Sequence, residues 1–374
     1  MIQFFVNGVV IASFIPRLPG IRDDLDLSLR GIGLVLSFAT LGGVLGSIIV
    51  GPIMSRFGTK RTMLSGALIL VGLLPIISLA TSALSLLIVL GLLHAADVQT
   101  DVAMNLQGSA LSERRATPVV NRLHGMWSLG SMVGGVISAA MAGFGVSLRI
   151  HLFGASGVLL VAVLFVAPRL LTENDTPPEA PTSRRASGAN LVVLFALLGG
   201  AAIIPEVLTS DWAAFRLADD LGASEGIAGL GFVAFTAGMV TGRFSGDTFI
   251  ARYGQGALLR PMTIIIAIGT AIATLIPAIP ATFLGLFITG LGVSVIYPQL
   301  YDNAARSSQP GAALGALTAG GRLALVAAPG VVGALASSSS LNVGAAVALL
   351  TIPAAIAVAL LTPKPVGDNA AGTV

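Results

Sequence analysis

The chain has 374 residues, of which 55% are hydrophobic and only 10% charged, with 20 Lys and Arg against 17 Asp and Glu. Its mean hydropathy of +0.93 excludes a water-soluble globular enzyme, in which about a quarter of residues carry charge, and makes the chain an integral membrane protein. There is no cysteine, so disulfides and thiolate metal sites are ruled out, and no charged segment with a small-residue cleavage site marks a secretory leader.

Apolar stretches recur about every 30 residues and are long enough to cross about 30 Å of hydrocarbon as helices, a pattern distinct from the alternating signal of a barrel. Twelve spans are predicted. The first begins at Met1 and meets Pro16 after about 22 Å of helix, short of a full crossing. Asn7 is its most notable polar residue, either a bond between helices or a contact for a ligand. The segment PRLPGIRDDLDLSLR follows and reads as a solvated loop of mixed charge. Span 2, about Gly31 to Met54, is rich in small residues that permit close helix approach, and it ends in GPIMSRFGTKR.

That junction resembles the loop signature of the major facilitator superfamily, in which a glycine, an aspartate, an arginine-x-glycine and further basic residues follow in order between the second and third helices. Ser55 stands where the family usually has the aspartate. The resemblance implies an all-α membrane protein with twelve transmembrane helices in two pseudo-symmetric six-helix bundles.

Span 3 runs from about Thr62 to Ala80 and span 4 from Leu84 to Asn105. In span 4, His94, Asp97, Asp101 and Asn105 are spaced three, four and four residues apart, which places them within roughly an 80° arc of one helical face. Ionisable groups at bilayer depth are costly unless they face a cavity or a partner, so this stripe predicts a pathway facing inward, with a polar seam between helices as the alternative. A basic loop, GSALSERRATPVVNR, precedes span 5, which opens with His124 and Trp127 and continues into the small-residue stretch GSMVGG. DVAMN followed some twenty residues later by HGMWSLG is similar to a bacterial inner-membrane branch of the superfamily related to the fucose-permease type. Gly130, Gly134 and Gly135 lack the glycine-proline motif frequent in the fifth span of its antiporters.

Span 6 ends near Ala167. The polar, proline-bearing segment RLLTENDTPPEAPTSRRASG has the composition of a flexible linker and divides the chain into 1–168, a six-span half; 169–189, a cytoplasmic linker; and 190–374, a second six-span half with a short tail. A shift of about 196 positions lays Arg56-Phe57-Gly58 on Arg252-Tyr253-Gly254 and Gly134 on Gly330, the weak internal symmetry of duplicated transporter halves. Span 7 carries Glu206, expected in the pathway, and Asp211 about 140° away around the helix and expected to be solvated. Span 8 closes with Arg243 and Asp247 four residues apart, a pair expected to form a cytoplasmic latch. In span 10, Ser294, Tyr297 and Tyr301 share a face, and Pro298 is expected to break the helix and free backbone groups. Span 11 places Arg322 about 15 Å from its start, near the midplane, where a guanidinium needs a counter-charge or an anion. Asp101, then Asp97, is the expected partner.

Thirteen basic residues, among them Arg56, Lys60, Arg61, Arg114, Arg115, Arg252 and Lys364, fall on one side of these spans, against Arg17, Arg22, Arg30, Arg149 and Arg216 on the other. The richer side is cytoplasmic by the positive-inside rule, which puts both termini in the cytosol and, with the resemblance, the chain in a bacterial inner membrane. This segregation also removes the reason to read the basic excess as a nucleic-acid patch.

The function expected is a secondary active transporter moving a small polar, sugar-like solute by alternating access, coupled to protons; export of drugs or other amphiphilic compounds is the alternative. Proton coupling is assigned to Asp101, Asp97, His94 and Glu206. Substrate contacts are assigned to Asn7, Asn105, His124, Trp127, Tyr297, Tyr301 and Arg322, and the cytoplasmic gate to Arg56, Arg243, Asp247 and Arg252. Neither GxxxxGK[ST] nor HExxH occurs, so no nucleotide, metal or other cofactor and no enzymatic activity is expected, and the protein is expected to act as a monomer within the bilayer. A non-transporting membrane sensor is the remaining class.

Overall fold

The computed structural model describes residues 1–115, 119–171, 188–253, 255–338 and 340–362; the side chains of 120–121 and 246–257 lie outside that description. The expected linker at 169–189 falls mostly outside it as well.

The described residues form helices throughout: α1 (Ile2–Ala12), α2 (Leu18–Asp24), α3 (Leu29–Ile77), α4 (Ala83–Arg115), α5 (Val120–Gly143), α6 (Leu148–Val166), α7 (Ala189–Phe215), α8 (Glu225–Tyr253), α9 (Gln255–Leu275), α10 (Ile279–Ala305), α11 (Pro310–Ala336) and α12 (Val343–Leu361). Among the described residues, eleven segments are long and apolar enough to cross a membrane. They carry many exposed large apolar side chains, such as Leu45, Ile48, Val161, Leu323 and Leu360, the outward-facing surface that hydrocarbon tolerates and water does not.

Two local features, at Pro16 and Pro298, differ from the sequence expectation. Pro16 does not end the first span: a 3-10 turn at Ile15–Arg17 carries the chain from α1 into α2, and Ile2–Asp24 forms one crossing segment. Proline suits such a turn because the missing N–H falls where no helical partner is needed. The expected loop after Pro16 is therefore helix for most of its length, and Arg17 within it is 5% exposed. Spans 2 and 3 are two helices as expected, following one another within α3, whose 49 residues would extend about 73 Å if straight, over twice the hydrocarbon thickness. Gly58, at φ 77° and ψ 166°, breaks it in a conformation favoured by the absence of a Cβ. Pro298, by contrast, sits inside α10 without ending it.

Capping follows ordinary chemistry. The Oγ of Ser28 and Ser147 and the Oδ1 of Asn342 accept from the backbone N–H three residues on, at the starts of α3, α6 and α12. At the end of α7, Arg216 and Asp220 form a buried pair at 2.9 Å. Asp220 also accepts from Val343 N and Gly344 N at the start of α12, where the helix dipole favours a carboxylate.

One core cluster joins residues from both ends of the sequence, including Leu70, Leu90, Trp212, Phe232 and Val332. A second is built wholly from α7 to α12, around Phe195, Phe235, Ile296 and Leu317. Contacts between the early and late helices are concentrated where α3 meets α11 and α5 meets α8. α11 also packs on α7, so closely that a Cβ on Gly320 would stand 1.8 Å from the Ala196 carbonyl oxygen. Backbone cannot step aside as a side-chain tip does, and overpacking a helix interface costs at least 1 to about 3 kcal/mol. Gly320→Ala is expected to lower the melting temperature of the detergent-solubilised protein by several degrees, whereas Gly315→Ala, where a Cβ meets open space, leaves it unchanged.

Candidate functional site

The polar face of α4 looks toward α1 and α5. Asn7 of α1 donates from Nδ2 to Asp97 Oδ1 at 2.9 Å, and its own Oδ1 accepts from Trp127 Nε1 of α5 at 2.8 Å. One turn further along α4, Asn105 Nδ2 donates to Asp101 Oδ1 at 3.0 Å, and Asn105 Oδ1 stands 3.0 Å from His124 Nε2. The two carboxylates are thus each held by an amide, and each amide is held by a ring on α5. Residues from α1, α4 and α5 that the sequence analysis assigned to coupling or to substrate contact are brought together here: Asn7, Asp97, Asp101, Asn105, His124 and Trp127. His94, the first residue of the stripe, packs near Gly43 of α3 and makes no hydrogen bond among the described residues. Gln99 lies off the stripe and donates to Thr62 O and Ser65 Oγ of α3, an ordinary seam between helices.

On the opposite wall, α7 and α8 contribute Glu206 and Arg243. Arg243 Nη2 lies 4.0 Å from Glu206 Oε1, its Nη1 donates to Ser128 Oγ of α5, and its guanidinium stands 5.8 Å from the centre of the Trp127 ring. The expected latch between Arg243 and Asp247, and Arg252 beside it, fall on side chains outside the described residues. Arg243 turns inward because the acid across from it on α7 and the π face of Trp127 both stabilise a cation out of water. Arg56, also expected at a gate, is exposed and lies over the neighbouring Phe57 ring.

Arg322 of α11 does not form an ion pair with either α4 carboxylate. Its Nη1 donates to Gly43 O at 3.2 Å and Ser47 Oγ at 2.8 Å of α3, the helix on which α11 packs. Arg322 instead acts on Asp101 and on Tyr297 through the electrostatic field. Tyr297 is half-buried beside Gly321, and Tyr301, one turn on and within its electrostatic reach, is 48% exposed. Asp211 is partly buried on α7 rather than solvated.

A cavity of about 50 Å³ lies between these walls, lined by Trp127, Ser128, Glu206, Phe232, Thr236 and Met239 among others. It can hold a few waters and is too small for a sugar, so in this conformation the polar centre is closed around its own side chains. A larger cavity of about 300 Å³, lined by Phe4, Met63, Met104, Gln107 and Leu123 among others, contains none of the carboxylates.

Two contacts that sequence reasoning missed join early and late helices at one end of the molecule. Arg17 Nε donates to Glu225 Oε1 at 2.5 Å and both its Nη atoms to Val146 O. Arg22 grips Asp219 with both terminal nitrogens, the Nη2 bond measuring 3.0 Å. The only signal was the density of charge around two prolines, which also describes a loop.

Several known proteins are similar to this chain. An uncharacterized MFS-type transporter of Yersinia pestis is 26% identical over 358 residues, covering 94% of this chain and 93% of its own. The membrane protein MosC of Rhizobium meliloti is 26% identical over 307 residues, covering 81% and 74%. Among solved structures, a mutant of the nucleoside transporter NupG superposes with a TM-score of 0.73 at 15% identity, covering 96% of both chains. The human organic anion transporter MFSD10 (TETRAN) does so at 0.68 and 16%, covering 96% and 97%. These structures share the fold. The family model of the Major Facilitator Superfamily matches residues 1–216, more than half of the sequence, and the chain belongs to that superfamily of membrane transporters.

Proposed function

We propose that the protein is a proton-coupled secondary transporter that carries a small polar, sugar-like solute across a bacterial inner membrane by alternating access. In this reading it has twelve spans, α3 supplying two of them on either side of Gly58, arranged as two six-helix halves joined by 169–189. The observation that carries the proposal is the convergence on one interior region of Asp97 and Asp101 from α4, Glu206 from α7, Arg243 from α8 and Arg322 from α11. Charged groups held at bilayer depth are costly, and a path for ions or polar solutes is the common reason to keep them. The sugar-like solute is supported by the resemblance of DVAMN and HGMWSLG to the fucose-permease type. The solved structures similar in fold are named for nucleosides and organic anions, which are polar solutes too.

With both termini in the cytosol, the Arg17–Glu225 and Arg22–Asp219 contacts lie on the periplasmic side, and this conformer is closed there. Reporter fusions at Ser183 and Asp220 are expected to report opposite sides of the membrane, Ser183 cytoplasmic; a periplasmic signal at Ser183 overturns the topology. Solute uptake by proteoliposomes under an imposed pH gradient tests the function itself. Failure of a broad panel of sugars, organic acids and cationic dyes to move with or without the gradient would exclude transport in favour of a sensor, whereas movement of the dyes alone would favour export.

A further inference from the structure

The two inward arginines differ in how their charge is met. Arg243 has Glu206 at 4.0 Å and the face of Trp127. Arg322 has neither an acid within ion-pair distance nor an aromatic face among the described residues. It donates from Nη1 alone, to a carbonyl and a hydroxyl of α3. A guanidinium carries five N–H donors in a planar fork, so the Nε and Nη2 edge, which suits two oxygens of one anion, has no protein acceptor among the described residues. The side chain is partly buried, where an uncompensated cation is costly, and the Tyr297 hydroxyl, hydrogen-bonded to Thr318, lies beside Gly321, the residue before Arg322.

We infer that Arg322 is the recognition point for an oxyanion, a carboxylate or a phosphate, carried by the transported solute. The inference rests on the transporter reading and narrows its substrate class to acidic sugar-like molecules. Asp101, with Asp97 one turn away on α4, lies in the field of Arg322. A bound oxyanion and an ionised Asp101 would place two negative charges around one guanidinium, so the anion binds best when Asp101 carries a proton. Solute and proton then load together, and neither needs to touch the other.

The test is labelling of the purified full chain in detergent with phenylglyoxal, followed at Arg322 and Arg243 by peptide mass spectrometry. The probes are glucuronate, glucose 6-phosphate, inorganic phosphate and, as the neutral control, glucose. One or both of the acidic sugars should slow labelling of Arg322 roughly tenfold, the worth of one charge-assisted contact, while glucose leaves it unchanged. Protection by glucuronate alone identifies a carboxylate site, and protection by the phosphates alone a phosphate site. Equal protection by glucose, or protection by none of the probes, overturns the inference. In Arg322→Gln, which can still donate to Ser47, the thermal upshift produced by the protecting probe should vanish; its persistence also overturns the assignment. Gradient-driven uptake of glucose without oxyanion protection would remove the anion site and leave the transporter intact. Protection without gradient-driven uptake of any probe would do the reverse.

Discussion

Asp101→Asn is expected to abolish accumulation driven by a pH gradient in proteoliposomes while sparing exchange of solute at equal pH. For one proton per solute, a gradient of one pH unit is worth about 1.4 kcal/mol and supports roughly tenfold accumulation, so the expected ratio falls from about ten to one. Both carboxylates are held by an amide that is itself held by a ring of α5, so Asp101 is preferred over Asp97 for its charged neighbours. Asp101 lies in the field of both Asp97 and Arg322, so a movement of α11 that brings Arg322 closer or takes it away changes the cost of its charge. Protonation and conformation are then linked, as a symporter requires. The two carboxylates also interact with each other, so the proton can be shared between them. If Asp101→Asn keeps the full gradient response, the role passes to Asp97 or to Glu206.

The α4 stripe was legible in the sequence because it is local. His94, Asp97, Asp101 and Asn105 repeat with the helical period inside an apolar span, and that alone predicts one face. Their partners Asn7, His124 and Trp127 were legible as polar or amphipathic residues within spans, though which of them would meet was not. Arg243 shows the limit. The only acid within reach by helical spacing was Asp247, whereas Glu206 and Ser128, its contacts in the structure, are 37 and 115 residues away in the chain, and such pairings come from packing that no local rule encodes. The same limit hid Ser47 and Gly43 as the acceptors of Arg322, because a small-residue stripe on α3 reads first as a packing surface. Pro16 and Gly58 show the converse: the residues were noticed, but whether each ends a helix or bends it depends on what lies beyond.

Glu225→Gln is expected to open the end of the molecule closed by Arg17 more than Arg17→Gln does, although the two changes break the same ion pair. The Arg17 side chain is 7% exposed and that of Glu225 38%. Glu225→Gln removes the counter-charge of a buried guanidinium, leaving it only neutral acceptors, the Gln amide oxygen and the Val146 carbonyl, and a buried charge without its counter-ion costs several kcal/mol, up to about 5 when no acceptor remains. Removing Arg17 leaves a carboxylate that water already reaches, and exposed charges lose little when a partner is taken away. Because the pair joins α8 to the turn after α1, its loss weakens one closed arrangement of the helices, not a single element, and shifts the population toward the conformer open at that end. The chain has no cysteine, so a single Thr236→Cys, a buried position that lines the central cavity and lies three turns into α8, reports that opening through a membrane-impermeant thiol reagent. Labelling at position 236 should rise roughly tenfold with Glu225→Gln, the effect of about 1.4 kcal/mol, and by less with Arg17→Gln. A larger rise with Arg17→Gln, or no change with either, would show that the closed end is held by the Arg22–Asp219 contact and helix packing and not by this pair.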